Sequence, residues 1–199
     1  MGSSPTKKRG GAVASRVDGL ADAYARHIGL PWDRGLAPPQ RVWFAVYPKD
    51  DERRLRYKID AFKLATADAG KRWVPIDVTH SFANWIDAER YRESYFKNPK
   101  MMAPKLPRFL EATAEDIVRR AHAAGADEDA VVAVLGVASL FGFAQVSDLV
   151  PRVVKELAGR LLVFFPGSRE GNVYKLLDAR EGWNYLATPI TAFDDGTAT

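Results

Sequence analysis

The sequence predicts an α/β fold: a single domain with about five mostly parallel strands between helical layers. The fold is Rossmann-like, or a degenerate P-loop-like fold without a phosphate loop. The first observation is that three short runs, 42–47, 130–137 and 161–165, are almost entirely apolar. Such runs are typical of strands that are buried on both faces, as in a parallel sheet covered by helices. The second is that segments with helical spacing alternate with these runs along the chain.

Each predicted element follows from a local pattern. Apolar residues three or four positions apart predict helices, and glycines at 29, 70, 125 and 159 are placed to end them. Ser147 is a candidate cap for the helix that follows it. Pro166 and Gly167 are expected to end the strand before them and to open a turn that contains Ser168, Arg169, Glu170 and Asn172. In chain order we predict helix 17–28, strand 42–47, a helix that is capped at Asp50 and Asp51 and ends before Gly70, strand 73–78, short helices within 82–96, helix 106–124, strand 130–137, a helix that runs from the Ser147 cap to Gly159, strand 161–165, a short polar segment at 175–178 and strand 183–190.

Composition and charge place limits on the protein's class. The 199 residues suit one domain, with 47% hydrophobic residues to build a core and no cysteine for disulfides or thiolate catalysis. The net charge of +4 lies entirely in a basic tail, residues 1–16, which we expect to be disordered. The domain then spans 17–193, and 194–199 form a flexible C-terminus. Because no apolar stretch reaches the length of a membrane span, we expect a soluble, cytoplasmic protein.

The motifs of common nucleotide-binding and hydrolytic sites are missing. Residues 47–51, after the first strand, contain no glycine, so they do not form a phosphate loop, and no Gly-x-Gly-x-x-Gly is present. Ser139, between Gly136 and Gly142, lacks the Gly-x-Ser-x-Gly spacing of a nucleophile elbow, and we interpret it as a turn residue. Asp77 and His80 are too few for a metal site. We therefore predict no catalytic residue, no metal and no cofactor.

Two segments are candidates for binding a partner. The first contains the aromatic residues Trp85, Tyr91, Tyr95 and Phe96 among arginines and lysines. Such a surface suits single-stranded nucleic acid or another protein, and we favour a protein. The second is the end of the 161–165 strand, because ligands of open α/β sheets are met at the carboxyl ends of strands. There the candidate contact residues are Arg169, Asn172 and Tyr174.

Several blocks together resemble one protein family. They are Leu30-Pro31-Trp32, Arg41-Val42-Trp43-Phe44, the Gly136 to Gly142 segment with Val146-Ser147-Asp148-Leu149, and Phe164-Phe165-Pro166-Gly167 through Gly182-Trp183-Asn184-Tyr185-Leu186. The chain is similar to the BrxB proteins of bacterial BREX (bacteriophage exclusion) defence systems over nearly its whole length after the tail. The block from Pro166 and Gly167 to Trp183, Asn184 and Tyr185 is the specific part of the likeness.

The resemblance implies membership of an antiphage operon. Its other products include a PglZ-like protein, a large ATPase and an adenine methyltransferase. BrxB-like proteins have no established catalytic residues to transfer, so we expect a non-catalytic adaptor that binds these BREX proteins. Two alternatives remain open: a weak nucleic-acid-binding component of the same system, and a degenerate nucleotide-binding protein.

Overall fold

The sheet at the centre of the fold is built from the apolar runs of the sequence. The computed structural model describes residues 15–177, 179 and 182–192. The predicted tail, apart from Ser15 and Arg16, lies outside these residues, as does the predicted flexible C-terminus. The strands are β1 (Val42–Tyr47), β2 (Arg72–Asp77), β3 (Ala130–Leu135), β4 (Arg160–Glu170), β5 (Val173–Leu176), β6 (Trp183–Asn184) and β7 (Thr188–Ile190).

Helices cover both faces of this sheet. They are α1 (Arg16–Ile28), α2 (Glu52–Tyr57), α3 (Ile59–Asp68), α4 (Ser81–Asp87), α5 (Arg92–Lys97), α6 (Leu106–Ala123) and α7 (Val146–Val154). Short 3₁₀ helices occur at Pro38–Arg41, Lys49–Asp51, Pro99–Lys105 and Val137–Leu140. The helix predicted between Asp51 and Gly70 is broken at Lys58 into α2 and α3. Helix α1 begins at Arg16 because the Ser15 hydroxyl accepts a hydrogen bond from the backbone N–H of Asp18, which caps it.

The sheet order explains how the chain covers both faces. Five strands run parallel in the order β2–β3–β4–β1–β7. The chain crosses from β1 to β2 through α2 and α3, and returns strand by strand through α6 and α7. Successive residues of one strand therefore face different helices: Phe164 packs with α1 and α3, and Phe165 packs with α6 and α7. The predicted α/β class and mostly parallel sheet are confirmed.

The predicted end of the fourth strand is wrong. Strand β4 continues through Pro166 and Gly167 to Glu170, and its second half pairs antiparallel with β5. Strand β5 in turn pairs with β6. The chain can continue because Gly167 has no Cβ: a Cβ there would overlap the carbonyl oxygen of Lys175 on β5. Ser168, Arg169 and Glu170 are therefore strand residues rather than a turn.

Three other predicted boundaries also change. The run predicted as one strand over 183–190 is two strands, of which β6 pairs with β5 and β7 pairs with β1. The third strand ends at Leu135, because Gly136 adopts a left-handed conformation (φ +80°) and starts a 3₁₀ turn. Ser147 does not cap α7, since the helix begins one residue earlier, after Gln145. No helix within the described ranges is long and apolar enough to cross a membrane.

Candidate protein-binding groove

The carboxyl edge of the sheet, where α/β proteins commonly bind ligands, is occupied by a network of side chains. Arg56 on α2 places its Nη1 2.6 Å from Asp77 Oδ2, its Nη2 2.8 Å from Thr79 Oγ1 and its Nε 2.7 Å from Glu52 Oε1. The Tyr47 hydroxyl donates to the other oxygen of Glu52. The Arg56 guanidinium thus joins α2, which follows β1, to the end of β2 and the loop after it, although β3 and β4 separate the two strands in the sheet.

The pKa shifts of this network follow from burial and from the hydrogen bonds among its side chains. Partial burial works to raise the pKa of Asp77, but hydrogen bonds from Arg56 and Thr79 outweigh it and lower that pKa. Burial raises the pKa of the Tyr47 hydroxyl, and its bond to Glu52 adds to the effect. These five side chains are therefore already paired with one another.

The glycine and serine of the 136–142 segment belong to the same edge. A Cβ at position 136 would lie 2.7 Å from Asp77 Oδ1 and 2.9 Å from Thr79 N, so the β2 loop rests directly on Gly136. The Ser139 Oγ lies 2.8 Å from the carbonyl oxygen of Gly136 and 3.2 Å from that of Val78. These contacts tie down a turn, in agreement with the interpretation of Ser139 as a turn residue.

An apolar groove opens beside this edge, on the face covered by α6 and α7. Its volume is about 920 Å³. Three separate parts of the chain form its walls: the first turns of α6, the loop from Phe141 to Val146, and the β5–β6 hairpin. Residues that define these walls are Leu106, Leu110, Phe141, Gly142, Leu176 and Trp183.

The loop wall presents an aromatic side chain to solvent. Phe141 is 51% exposed, although the neighbouring Phe143 stacks on Phe82 with ring centroids 3.8 Å apart. Gly142 lies between them with φ +82°, and no heavy atom lies within 4 Å of the position that a Cβ would take there. A left-handed residue therefore reverses the chain, so that one phenylalanine anchors the loop and the other lines the groove.

Few polar groups reach the groove. Gln145 precedes α7, Asp148 lies in its first turn and Arg152 in its last turn, and the Arg152 guanidinium donates to the Asp148 carbonyl oxygen at 2.7 Å. Elsewhere the lining is mainly leucine, alanine, proline and aromatic side chains. Such a surface binds apolar side chains by removing them from water, and its few polar groups orient what is bound.

The structure divides the predicted aromatic contact residues into two classes. Trp85 packs on Phe109 in the core, with ring centroids 5.4 Å apart, and Tyr95 is only 5% exposed. Tyr91 and Phe96 are 57% and 67% exposed. In this conformation Tyr91 and Phe96 present accessible rings, whereas Tyr95 attaches α5 to the domain.

The predicted contact residues of the second segment lie on the β4–β5 hairpin. Tyr174 is 1% exposed and its hydroxyl donates to the Ala187 carbonyl oxygen at 3.2 Å, so its prediction as a surface contact is corrected. Its burial follows from packing on Phe44, with ring centroids 4.8 Å apart. Arg169 is half-buried beside the Tyr174 ring, and Asn172 is exposed at the hairpin turn.

The block that carries the family resemblance forms this hairpin and its support. Pro166 and Gly167 lie in β4, and Trp183 and Asn184 form β6. Both Trp183 and Tyr185 pack edge-on against Phe44, which fastens the hairpin to the sheet. Trp183 also lines the groove.

Sequence reasoning missed most of the groove. Helical spacing places Leu106 and Leu110 on the inward stripe of their helix, and nothing marks Phe141 or Leu176 as their neighbours. The one available signal is Phe141 itself, a large apolar residue beside a glycine and among turn residues.

Comparison of the chain with protein-family models, with curated proteins and with solved structures found no match. Within residues 15–177, 179 and 182–192, no group of three or more histidine, aspartate or glutamate side chains is placed to hold a metal ion.

Proposed function

We propose that this protein is a non-catalytic adaptor that binds another protein through the apolar groove. The observation that carries the proposal is the exposed Phe141, which lines an apolar surface formed by three separate elements. Aromatic side chains in apolar pockets are the common anchors of protein interfaces. The groove would accept one or more apolar side chains of a partner.

The biological setting that we propose is a BREX antiphage system in the cytoplasm. The resemblance to BrxB proteins supports this setting. The most specific block of that resemblance builds the hairpin wall of the groove. In this proposal the partner is the PglZ-like protein, the large ATPase or the adenine methyltransferase of the same system. The part of the chain that suggests the family is then also the part that shapes the binding surface.

The test is a binding measurement with each of the three purified partners from the same operon. Replacing Phe141 by Ala should weaken binding of the true partner by more than about tenfold, as expected for a central aromatic anchor. The matched control is Leu64→Ala, which removes an exposed leucine from α3 on the opposite face. Circular dichroism would establish that both variants remain folded.

Two outcomes would contradict the proposal. One is that none of the three proteins binds the full chain. The other is that Phe141→Ala and Leu64→Ala bind a partner with the affinity of the parent protein. In the second case the adaptor role would survive, but the groove would not be its binding surface.

A further inference from the structure

A strongly basic surface adjoins the groove, and its cations and exposed aromatic rings are not used by the proposed adaptor role. We define the basic lobe as residues 90–108, which include α5, the Pro99–Lys105 turn and the start of α6. It contains six basic residues and one acidic residue, Glu93. Because residues 17–199 have equal numbers of basic and acidic residues, the rest of the folded chain carries an acidic excess. Residues 17–199 therefore carry no net charge in total, although positive charge is concentrated in the lobe and negative charge in the rest.

The cations of the lobe are largely available. Arg92 forms an ion pair with Asp87 at 2.9 Å. The other five are exposed and form no ion pair with any part of the chain that the structure describes: Arg90, Lys97, Lys100, Lys105 and Arg108. Cations that are not neutralised internally attract an anionic partner over a distance set by the salt concentration.

Two exposed rings stand among these cations. Tyr91 precedes α5 and Phe96 lies within it, and the Arg90 guanidinium lies 5.5 Å from the centre of the Tyr91 ring. The buried Tyr95 between them holds the helix against the domain. The lobe therefore combines accessible ring faces with a local excess of positive charge, on a segment that the core keeps in place.

We propose that the basic lobe binds single-stranded nucleic acid. Lysines and arginines contact the phosphates, and bases stack on Tyr91 and Phe96. A single strand fits both features because its bases are free to stack, whereas those of a duplex are already stacked on one another. An acidic polypeptide would pair with the cations, but its carboxylates would not stack on the two rings as bases do.

The test is fluorescence anisotropy of the full chain with a labelled oligothymidylate of about 20 nucleotides. If three or four phosphates are contacted, the logarithm of the binding constant should fall with the logarithm of salt concentration with a slope of about −2 to −3. The double variant Lys97→Gln/Lys100→Gln should reduce that slope by about 1.4. Tyr91→Ala and Phe96→Ala should each weaken binding by about fivefold or more.

Matched controls come from the opposite face of the domain. Lys63→Gln removes an exposed lysine of α3, and Tyr57→Ala removes an exposed tyrosine of α2. Both should bind as the parent does. A triple alanine variant of Lys7, Lys8 and Arg9 tests the N-terminal tail, and should keep most of the affinity.

Four results would overturn the proposal. They are absence of binding at about 20 mM salt, loss of binding in the tail variant alone, equal affinity for duplex DNA, and equal competition by polyglutamate. The last would identify the lobe as a surface for acidic proteins. None of these results bears on the groove, whose partner is tested by Phe141.

Discussion

Replacing Gly136 by Ala is expected to destabilise the domain strongly, because two independent costs meet at this residue. Its φ of +80° is unfavourable for any residue with a Cβ. The new methyl group would also displace the loop after β2, since its carbon would lie 2.9 Å from Thr79 N and 2.7 Å from Asp77 Oδ1. The contacts at risk are those that join this loop to Arg56.

The structure allows a rough magnitude for each cost. A left-handed conformation costs an L-residue about 1–2 kcal/mol. Displacing Thr79 weakens its backbone hydrogen bond to Asp77 (2.8 Å) and its hydroxyl bond from Arg56 (2.8 Å), at about 1 kcal/mol each. The half-exposed Arg56–Asp77 ion pair adds little, because solvent screens it. The free energy of unfolding should fall by about 3 kcal/mol, which lowers Tm by about 6–12 °C in a domain of this size.

Gly142→Ala is the matched control. Gly142 has φ +82°, but nothing lies within 4 Å of the position that its Cβ would take. This variant should lose only the conformational cost, about 1–2 kcal/mol. Urea titration gives the free energy of unfolding of both variants. The difference between their losses is the cost of the contact between the new Cβ and the β2 loop, apart from the cost of positive φ. Equal losses for the two variants would refute the claim that the β2 loop rests on Gly136.

Two further predictions concern the histidine of α1 and the hairpin. Burial lowers the pKa of His27, so the unfolded chain binds more protons and the free energy of unfolding should fall as pH drops below about 6.5. Urea midpoints measured against pH should fall less in His27→Gln than in His122→Gln. An equal fall in the two variants would contradict this role of His27. Gly167→Ala should cost at least about 2 kcal/mol, because its Cβ would overlap the carbonyl oxygen of Lys175. Gly29→Ala is the control, because Gly29 has φ −74° and its Cβ would come no closer than 3.5 Å to a neighbouring atom, and similar unfolding midpoints for the two would disprove close packing of β5 on β4.

The strands of the sheet were predictable because strands that are buried on both faces consist almost entirely of apolar residues. The run that became β1 and the first half of β4 contain almost no polar residue, and each lies between helices. Helix ends were equally predictable where the residue after the helix adopts positive φ and is a glycine, as at Gly70 and Gly125. In these cases the local sequence and the tertiary environment require the same residue type.

The continuation of β4 past Pro166 was not predictable from local sequence. Proline and glycine together usually mark a turn. Here the deciding contact is the approach of Lys175 on β5 to Gly167, eight residues earlier in the chain. The same applies to Tyr174, whose burial depends on Phe44 in a strand from the other half of the chain.

The candidate site could be predicted only in part. Helix α5 has six residues, too few turns for spacing to show which aromatic residues face inward, so Tyr95 and Phe96 could not be distinguished. The groove brings together Leu106, Phe141 and Leu176 from three distant segments. No pattern of spacing records that juxtaposition, which arises from the order of strands in the sheet.

Hydrogen exchange of the protein alone and in complex with its BREX partner tests the adaptor proposal most directly. The proposal predicts slower exchange in the complex at 103–110 and 141–146, the helix and loop walls of the groove, with α2 and α3 unchanged. Slower exchange confined to α2 and α3, with the groove walls exchanging as in the free protein, would contradict it.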